Sequence, residues 1–357
     1  MRRKNWNIKP RDPQVSGLSA ELKLSPLLLQ VLLNRGIAID QINSFLNPSM
    51  DDLHSPLLLP DMEKAVARLR LAARNKERIF VYGDYDADGI TSLAIFNEFL
   101  KTYPGQYSFS IPHRVDDGYG LNCEAVRKAK EEGASLIVAF DCGTGSREEL
   151  DLALSLGLDV IIVDHHHSRD TMAGALAFIN PKRSDSRYPF ADLSSGALSF
   201  KLLQALTGDD CRSVLDLVAL SIVCDVVPIK GENRILLRAG MEELRRTTRP
   251  AIVALCRIGR IKQDRMDTFH LGFVLGPRLN AAGRISKAGE ALEMFLTESQ
   301  AAADAIAAKL DGYNLQRRGV EAAILKQAQE KVGEFAPAGA IVVCQDGWHP
   351  GVLGIVA

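Results

Sequence analysis

The stretch RIFVYGDYDADGITS, residues 78–92, decides the fold of this chain. Positions 79–82 form a short uncharged run of apolar and aromatic residues, which reads as a buried strand. After the acidic turn, residues 91–101 repeat their apolar positions with helical spacing. Strand, turn and helix in that order make the first half of a βαβ unit, and the same alternation continues downstream. Further strands are expected at 107–111, 136–140 and 160–163, with helices at 122–132 and 147–156. Right-handed crossovers would assemble these into an α/β fold with a doubly wound, mostly parallel sheet.

On either side of this core the pattern changes. Residues 1–75 hold helical runs at 26–34 and 62–73, broken at Asn47-Pro48 and Ser55-Pro56, and read as a helical lead-in. A more helical stretch covers 194–296, and 298–332 carries helix formers almost throughout. Gly312 and Gly319 each cost that long helix about 1 kcal/mol relative to Ala, which makes them the positions for a kink. Residues 340–344 read as a strand and 352–357 as the opening of a helix. So short a piece cannot bury a core of its own, and it predicts the front of a second α/β domain in a longer protein. The expected organisation is a lead-in at 1–75, the sheet domain at 76–296, a connecting helix at 297–335 and the start of a further domain at 336–357.

Composition excludes several classes. The 357 residues suffice for two or three domains, and 46% apolar with 24% charged residues rules out disorder and a fibrous architecture. Lys and Arg number 43 against 44 Asp and Glu, so a net charge of -1 gives no bulk attraction to nucleic acid or to a membrane. A polyanion would have to be held by local patches. The opening MRRKNWNIKPRD is basic without the apolar run of a signal peptide, and no stretch approaches the roughly 18 apolar residues that span a bilayer. A cytoplasmic location and no membrane partner are expected. The six cysteines, Cys123, Cys142, Cys211, Cys224, Cys256 and Cys344, include no CxxC pair and read as reduced thiols.

The chemistry gathers at strand ends. Asp84, Asp86 and Asp88 fall within five residues and repel one another unless cations neutralise them. Alternation in an extended segment would aim all three to one side. An EF-hand loop shares the DxDxDG opening, but its twelfth position here is Ile95 and a strand precedes it. Asp141 ends the next strong strand in VAFDCGTGS, and Asp164, His165, His166 and His167 end the following one in VIIVDHHHS. In an open α/β sheet these carboxyl ends form the ligand crevice, so all of them arrive at one edge. Asp225, in LVALSIVCDVVPI, ends an apolar helical run where an unpartnered acid would be costly.

Carboxylate and imidazole groups without thiolates favour Mn2+ or Mg2+ over zinc. Two such ions sharing a bridging carboxylate suit phosphoester or phosphoanhydride hydrolysis. Candidate substrate-binding groups are Arg114 in IPHRVDDGYG and Arg278, Asn280 and Arg284 in LGPRLNAAGRIS, with arginine forks for phosphate. Arg114 could equally pair with Asp116 or Asp117. Ser195 and Gly196, after Ser194, are placed to open a helix whose amides face an anion, or simply to cap it. Trp348 and His349 could stack on a base or pack.

The set DYDADG, DCG, DHHH and CDVVP resembles the DHH phosphoesterase superfamily in order and spacing. With IPHRVDDGYGL, INPK, the NRI of 233–235, LGPRLNAAGRI and WHPGVLGIVA, it is similar more narrowly to the bacterial RecJ family of single-strand-specific exonucleases. The last motif resembles the opening of that family's second domain, DHHA1, and residues 76–296 would be its DHH domain. The resemblance implies Asp86, Asp88, Asp141, His165 and Asp225 as metal ligands, with Asp141 bridging and Asp84 as ligand or support. It implies His166 at the scissile phosphate or its water, Asp164 orienting the histidines, and Arg278 and Arg284 on backbone phosphates. His167 receives no role. One departure is the serine-rich segment at Asp192 and Ser194 to Gly196, where the family is usually richer in glycine and valine.

The implied activity is 5' to 3' removal of mononucleotides from single-stranded DNA in repair and recombination, with a single-strand-binding protein and a helicase as possible partners. Two alternatives stand beside it. A phosphodiesterase for short oligonucleotides, phosphoadenosine phosphate, cyclic dinucleotides or pyrophosphate would keep the chemistry, although such relatives lack the GPRLNAAGR segment. A non-catalytic scaffold would be expected to have lost metal ligands, and all are present here.

Overall fold

The computed structural model describes residues 7–114, 116–167, 174–333 and 340–357. The chain divides after Leu53 into a small N-terminal unit and a large one that begins at His54. The small unit holds helices α1 (Val15–Glu21), α2 (Pro26–Asn34) and α3 (Ile42–Leu46) around Val15, Leu29, Leu32, Ile37 and Ile42. Ser25 starts α2 by accepting from the Leu28 amide, with Pro26 in the first turn where its missing N–H is harmless.

In the large unit, five parallel strands form one sheet in the order β2-β1-β3-β4-β5: β1 (Ile79–Gly83), β2 (Tyr107–Ser110), β3 (Leu136–Phe140), β4 (Asp159–Val163) and β5 (Ala177–Ile179). Alternate residues serve the two faces. Phe80, Tyr82, Ile137, Ala139, Val160, Ile162 and Phe178 pack with α6 (Cys123–Glu131) and α7 (Arg147–Ser155). The residues between them face α5 (Ala87–Leu100) and α8 (Ser195–Thr207), which lie against β1, β3 and β4. Burial on both faces explains why these strands are continuous apolar runs. The order reverses between β1 and β3, and the crevice at that switch point lies outside their carboxyl ends.

The expected α/β class and parallel sheet are found, with differences in detail. Helix α4 (Met62–Asn75), assigned from sequence to the lead-in, belongs to the large unit. Its stripe of Ala65, Val66, Leu69 and Ala72 is buried, and the helix lies against β5 and α8. Strand β5 was not expected; three residues carry too little periodicity to read. Residues 340–344, expected as a strand, form none, because no described strand lies beside them to share a ladder. The proposed domain start at 336 falls partly outside the described residues.

Helices α9 (Leu215–Cys224), α10 (Gly231–Leu244) and α11 (Pro250–Ile258) follow α8. Helix α12 (Thr268–His270) runs through a π-helical segment, Leu271–Leu275, into α13 (Gly276–Ile285), after which comes α14 (Gly289–Leu296). The long α15 spans Gln300–Val332 without interruption at Gly312 or Gly319, and α16 (Pro350–Val356) packs on it. Beneath α8 the fully buried Lys201 ammonium meets Glu232 at 2.6 Å, with Tyr188 and the His54 backbone completing the bonds that such a buried pair requires. No helix among the described residues is long and apolar enough to cross a membrane.

Candidate metal centre at the carboxyl edge of the sheet

Three aspartates sit one step past three neighbouring strands, each joined by its amide to the next strand. Asp84 donates to the Phe140 carbonyl at 3.3 Å, Asp141 to Val163 at 3.0 Å and Asp164 to Ile179 at 3.0 Å. The equivalence of register is what brings these carboxylates to one edge.

The DYDADG segment does not converge by extended alternation as expected. Helix α5 begins at Ala87, and Asp86 is its N-cap, with Oδ1 accepting from the amides of Asp88 at 2.8 Å and Gly89 at 3.1 Å. Asp88 therefore points from the first helical turn. Gly89 is required there because a Cβ would lie 2.5 Å from the Asp84 carbonyl oxygen. This geometry also removes the EF-hand alternative, since a strand and an N-cap replace the calcium loop.

Asp88 is held from the far side. Its Oδ2 accepts from the Ser195 amide at 2.8 Å, and its Oδ1 from the Gly196 amide at 2.9 Å and the Ser221 hydroxyl at 2.5 Å. The anion faced by the N-terminus of α8 is thus the Asp88 carboxylate. Ser195 and Gly196, expected at the substrate, position a metal-competent acid instead, because their N–H groups are already taken. Asn280 is likewise engaged: its Oδ1 accepts from the Ala87 amide at 2.7 Å and steadies the start of α5.

Two groups of metal-competent atoms overlap with a third: Asp84, Asp86 and Asp141; Asp88, His165 and Asp225; and Asp141, His165 and His166. His165 Nε2 lies 3.2 Å from Asp141 Oδ1 and 3.6 Å from the carboxylates of Asp88 and Asp225. Asp141 thereby belongs to both halves. Its φ of 60° and the φ of 59° at Val226, next to Asp225, are left-handed conformations, uncommon for an aspartate and strained for a β-branched residue. Asp84 Oδ1, Asp141 Oδ1 and both ring nitrogens of His165 are buried without a hydrogen-bond partner. Each such atom costs on the order of 1–3 kcal/mol unless something satisfies it, and cations would satisfy the two carboxylate oxygens and the lone-pair nitrogen of the imidazole.

Electrostatics agree. Burial, then the neighbouring Asp86, pushes Asp84 up to about 8. Burial, then Asp88, does the same to Asp225. Asp141 is raised well above the carboxylate range by burial and by Asp88, Asp86 and Asp84. Burial lowers His165, leaving a neutral imidazole of the kind that ligates metals.

His166 is different. Its Nδ1 lies 2.7 Å from Asp164 Oδ1, and this hydrogen bond raises the imidazole above its ordinary value against burial. Burial works to raise Asp164, but bonds from His166 and Thr144 hold it below the usual carboxylate range. The Asp164 carboxylate also accepts from the amides of His165 at 2.8 Å and Thr144 at 2.9 Å, so it fixes the whole loop. Sequence reasoning missed three supports: Asn180, which donates to the His166 carbonyl at 2.9 Å; Ser221; and Tyr119, whose hydroxyl lies 3.0 Å from His166 Nε2 and 3.2 Å from the Asp141 carbonyl. Tyr119 had a signal in the IPHRVDDGYG segment and Asn180 in INPK; Ser221, inside an apolar helical run, had none of its own.

On the open side, Arg114 stacks over the Tyr85 ring at 4.8 Å, while Asp116 and Asp117 engage His113 instead. Arg284 donates to the Gly351 carbonyl at 3.0 Å. Burial, then Arg114 and Arg317, lowers it, as expected where guanidinium groups gather without an anion. Arg278 is more committed, donating to the Val274 carbonyl at 2.7 Å and meeting Asp311 at 2.8 Å. Trp348 donates to Gln327 at 2.7 Å and His349 caps α16, so both have structural work.

The DHH family, N-terminal domain, matches residues 78–222, which contain every one of these metal-competent groups except Asp225. Over 99% of its length the chain is 37% identical to the single-stranded-DNA-specific exonuclease RecJ of Bacillus subtilis, of which it spans 45%. A crystal structure of exonuclease RecJ bound to manganese superposes with a TM-score of 0.75 at 31% identity, covering 85% of this chain and 78% of that one. The Thermus thermophilus RecJ in complex with Mn2+ gives a TM-score of 0.81 at 29% identity over 96% of this chain and 50% of its own. Sequence identity over nearly the whole chain and superposition on the manganese-bound RecJ structure agree, and on that ground the chain belongs to the RecJ family of DHH proteins.

Proposed function

We propose that this chain carries the catalytic centre of a two-ion, single-stranded-DNA-specific exonuclease. The reading rests above all on one observation: two sets of metal-competent groups are joined at the switch point of the sheet by a third that holds Asp141 from one and His165 from the other, with buried atoms of Asp84, Asp141 and His165 left without hydrogen-bond partners. Relatives named as single-stranded-DNA-specific exonucleases, and RecJ structures holding Mn2+ or Mg2+, support it. Asp84, Asp86 and Asp141 would hold one ion, and Asp88, His165 and Asp225 the other, with Asp141 between them. Mn2+ or Mg2+ there would polarise the phosphoryl group and lower the pKa of the attacking water.

The chain's own side chains supply the remainder. Asp164 holds His166 in one orientation and favours its protonated form, so the ring presents a proton donor at the mouth of the site. Arg114 and Arg284 offer forks for backbone phosphate. Arg278 supports them by tying the π-helical segment to α15. Release of mononucleotides in the 5' to 3' direction, action in repair and recombination, a cytoplasmic location, and cooperation with a single-strand-binding protein and a helicase are part of this proposal, as is a second domain beginning near residue 336.

Product release from 5'-labelled and 3'-labelled single strands with Mn2+, beside duplex DNA, a dinucleotide and pyrophosphate, tests it in the full-length protein. Early release of labelled mononucleotide from the 5' end of single strands alone is expected. Hydrolysis confined to the dinucleotide or pyrophosphate would keep the centre and overturn the substrate.

A further inference from the structure

We propose that Phe269 and Phe273 form a base-stacking platform for single-stranded DNA whose phosphates lie along the arginines beside α13, an inference that rests on the exonuclease reading above. The two rings are 60% and 71% exposed, and they stack on each other at 4.9 Å with 23° between their planes. They stand four residues apart where α12 passes into the π-helical segment. That segment sorts its side chains: Leu271 and Leu275 are fully buried while Phe273 faces out. A π-helical turn is uncommon and is frequently found at functional sites.

Phe273 also borders a cavity of about 760 Å³ lined by Arg278, Arg284, Arg317 and Arg318. Arg278 meets Asp311 and Arg317 meets Glu321, but neither Arg284 nor Arg318 has a carboxylate partner among the described residues. Flat apolar rings beside uncompensated guanidinium groups call for an occupant that is anionic along one edge and aromatic along the other. An apolar protein helix would cover the rings and leave the charges without counterions. A single strand of nucleic acid satisfies both, since every base has a π-face and every linkage a phosphate. Arg284 continues the track toward the metal centre, where it feels the charge of Asp86.

The test compares equilibrium binding of an oligothymidylate and of an abasic strand of equal length to the full-length protein and to Phe273→Ala, Phe269→Ala/Phe273→Ala and Phe273→Trp. Both rings are exposed, so thermal midpoints are expected to stay unchanged. The double variant is expected to lose about tenfold or more in affinity for oligothymidylate and nothing for the abasic strand, and Phe273→Trp to keep the wild-type preference. Equal binding of oligothymidylate by all variants would overturn the platform, as would an equal loss on both strands. Loss of self-association with DNA binding intact would assign the rings to a protein contact and overturn it too. A wild-type protein that binds neither strand and releases no nucleotide would bring down the exonuclease reading first, and the platform with it.

Discussion

Asp141→Asn is expected to abolish Mn2+-dependent hydrolysis, by on the order of a thousandfold or about 4 kcal/mol, while raising the thermal midpoint of the metal-free protein. Both effects come from one position. Asp141 is buried, belongs to the Asp84 and Asp86 group, lies 3.2 Å from His165 of the other, and is surrounded by Asp84, Asp86 and Asp88. Removing its charge takes away the proposed bridging ligand and also relieves like-charge repulsion that nothing but a cation offsets. Asparagine keeps the shape and tolerates the left-handed backbone with φ of 60°, so strain does not obscure the comparison.

The same repulsion fixes the pH dependence. In chelator-treated wild-type protein, Asp84 and Asp225 bind protons up to about 8, whereas their ordinary value is 3.8. Between those limits the folded state holds protons that the unfolded chain has released. Stability therefore falls as pH rises from about 4 to about 8, by up to about 1.4 kcal/mol per unit for each group, and then levels. Urea unfolding across that range should show this fall, a shallower one in Asp141→Asn, and little of either with Mn2+ present. A wild-type curve that rises through the window would contradict the account.

Gly196→Val is expected to cost about 100-fold in activity and a comparable factor in Mn2+ affinity, although residue 196 is neither a ligand nor in reach of substrate. A Cβ at this position would sit 2.5 Å from both Cβ and Oγ of Ser221 and 3.4 Å from Asp88 Oδ1. Overpacking of that kind costs about 1–3 kcal/mol, and the relief available is for α8 to withdraw, taking two N–H donors from Asp88. Ser221→Ala, which removes one donor without a clash, should cost about tenfold. Isothermal titration with Mn2+ reads both. Wild-type affinity in Gly196→Val would show that the amides of α8 do not set the Asp88 carboxylate.

The fold and the principal metal-competent groups were legible because they are local. Each strand is a short apolar run followed at once by its acid, and parallel pairing brings those acids to one edge without further information. Asp86 as an N-cap was also available in principle, since an aspartate before a helical run is a helix start; the alternation reading hid it. The cradle around Asp88 was beyond reach, because Ser195 and Ser221 lie 107 and 133 residues away in the chain. Their serines and glycine carry only the ordinary signature of a helix cap. The committed states of Asn280 and Arg278 were hidden for the same reason. Residues 340–344 show the converse: a local pattern suited to a strand stays unpaired where no neighbour is described beside it.

The central claim is that one carboxylate edge holds two cations. The most direct measurement is the stoichiometry of tight Mn2+ binding to the metal-free full-length protein by titration calorimetry, repeated on Asp88→Ala. Two ions per chain are expected, falling to one or none in the variant. A single ion in the wild type, or an unchanged count in Asp88→Ala, would contradict it.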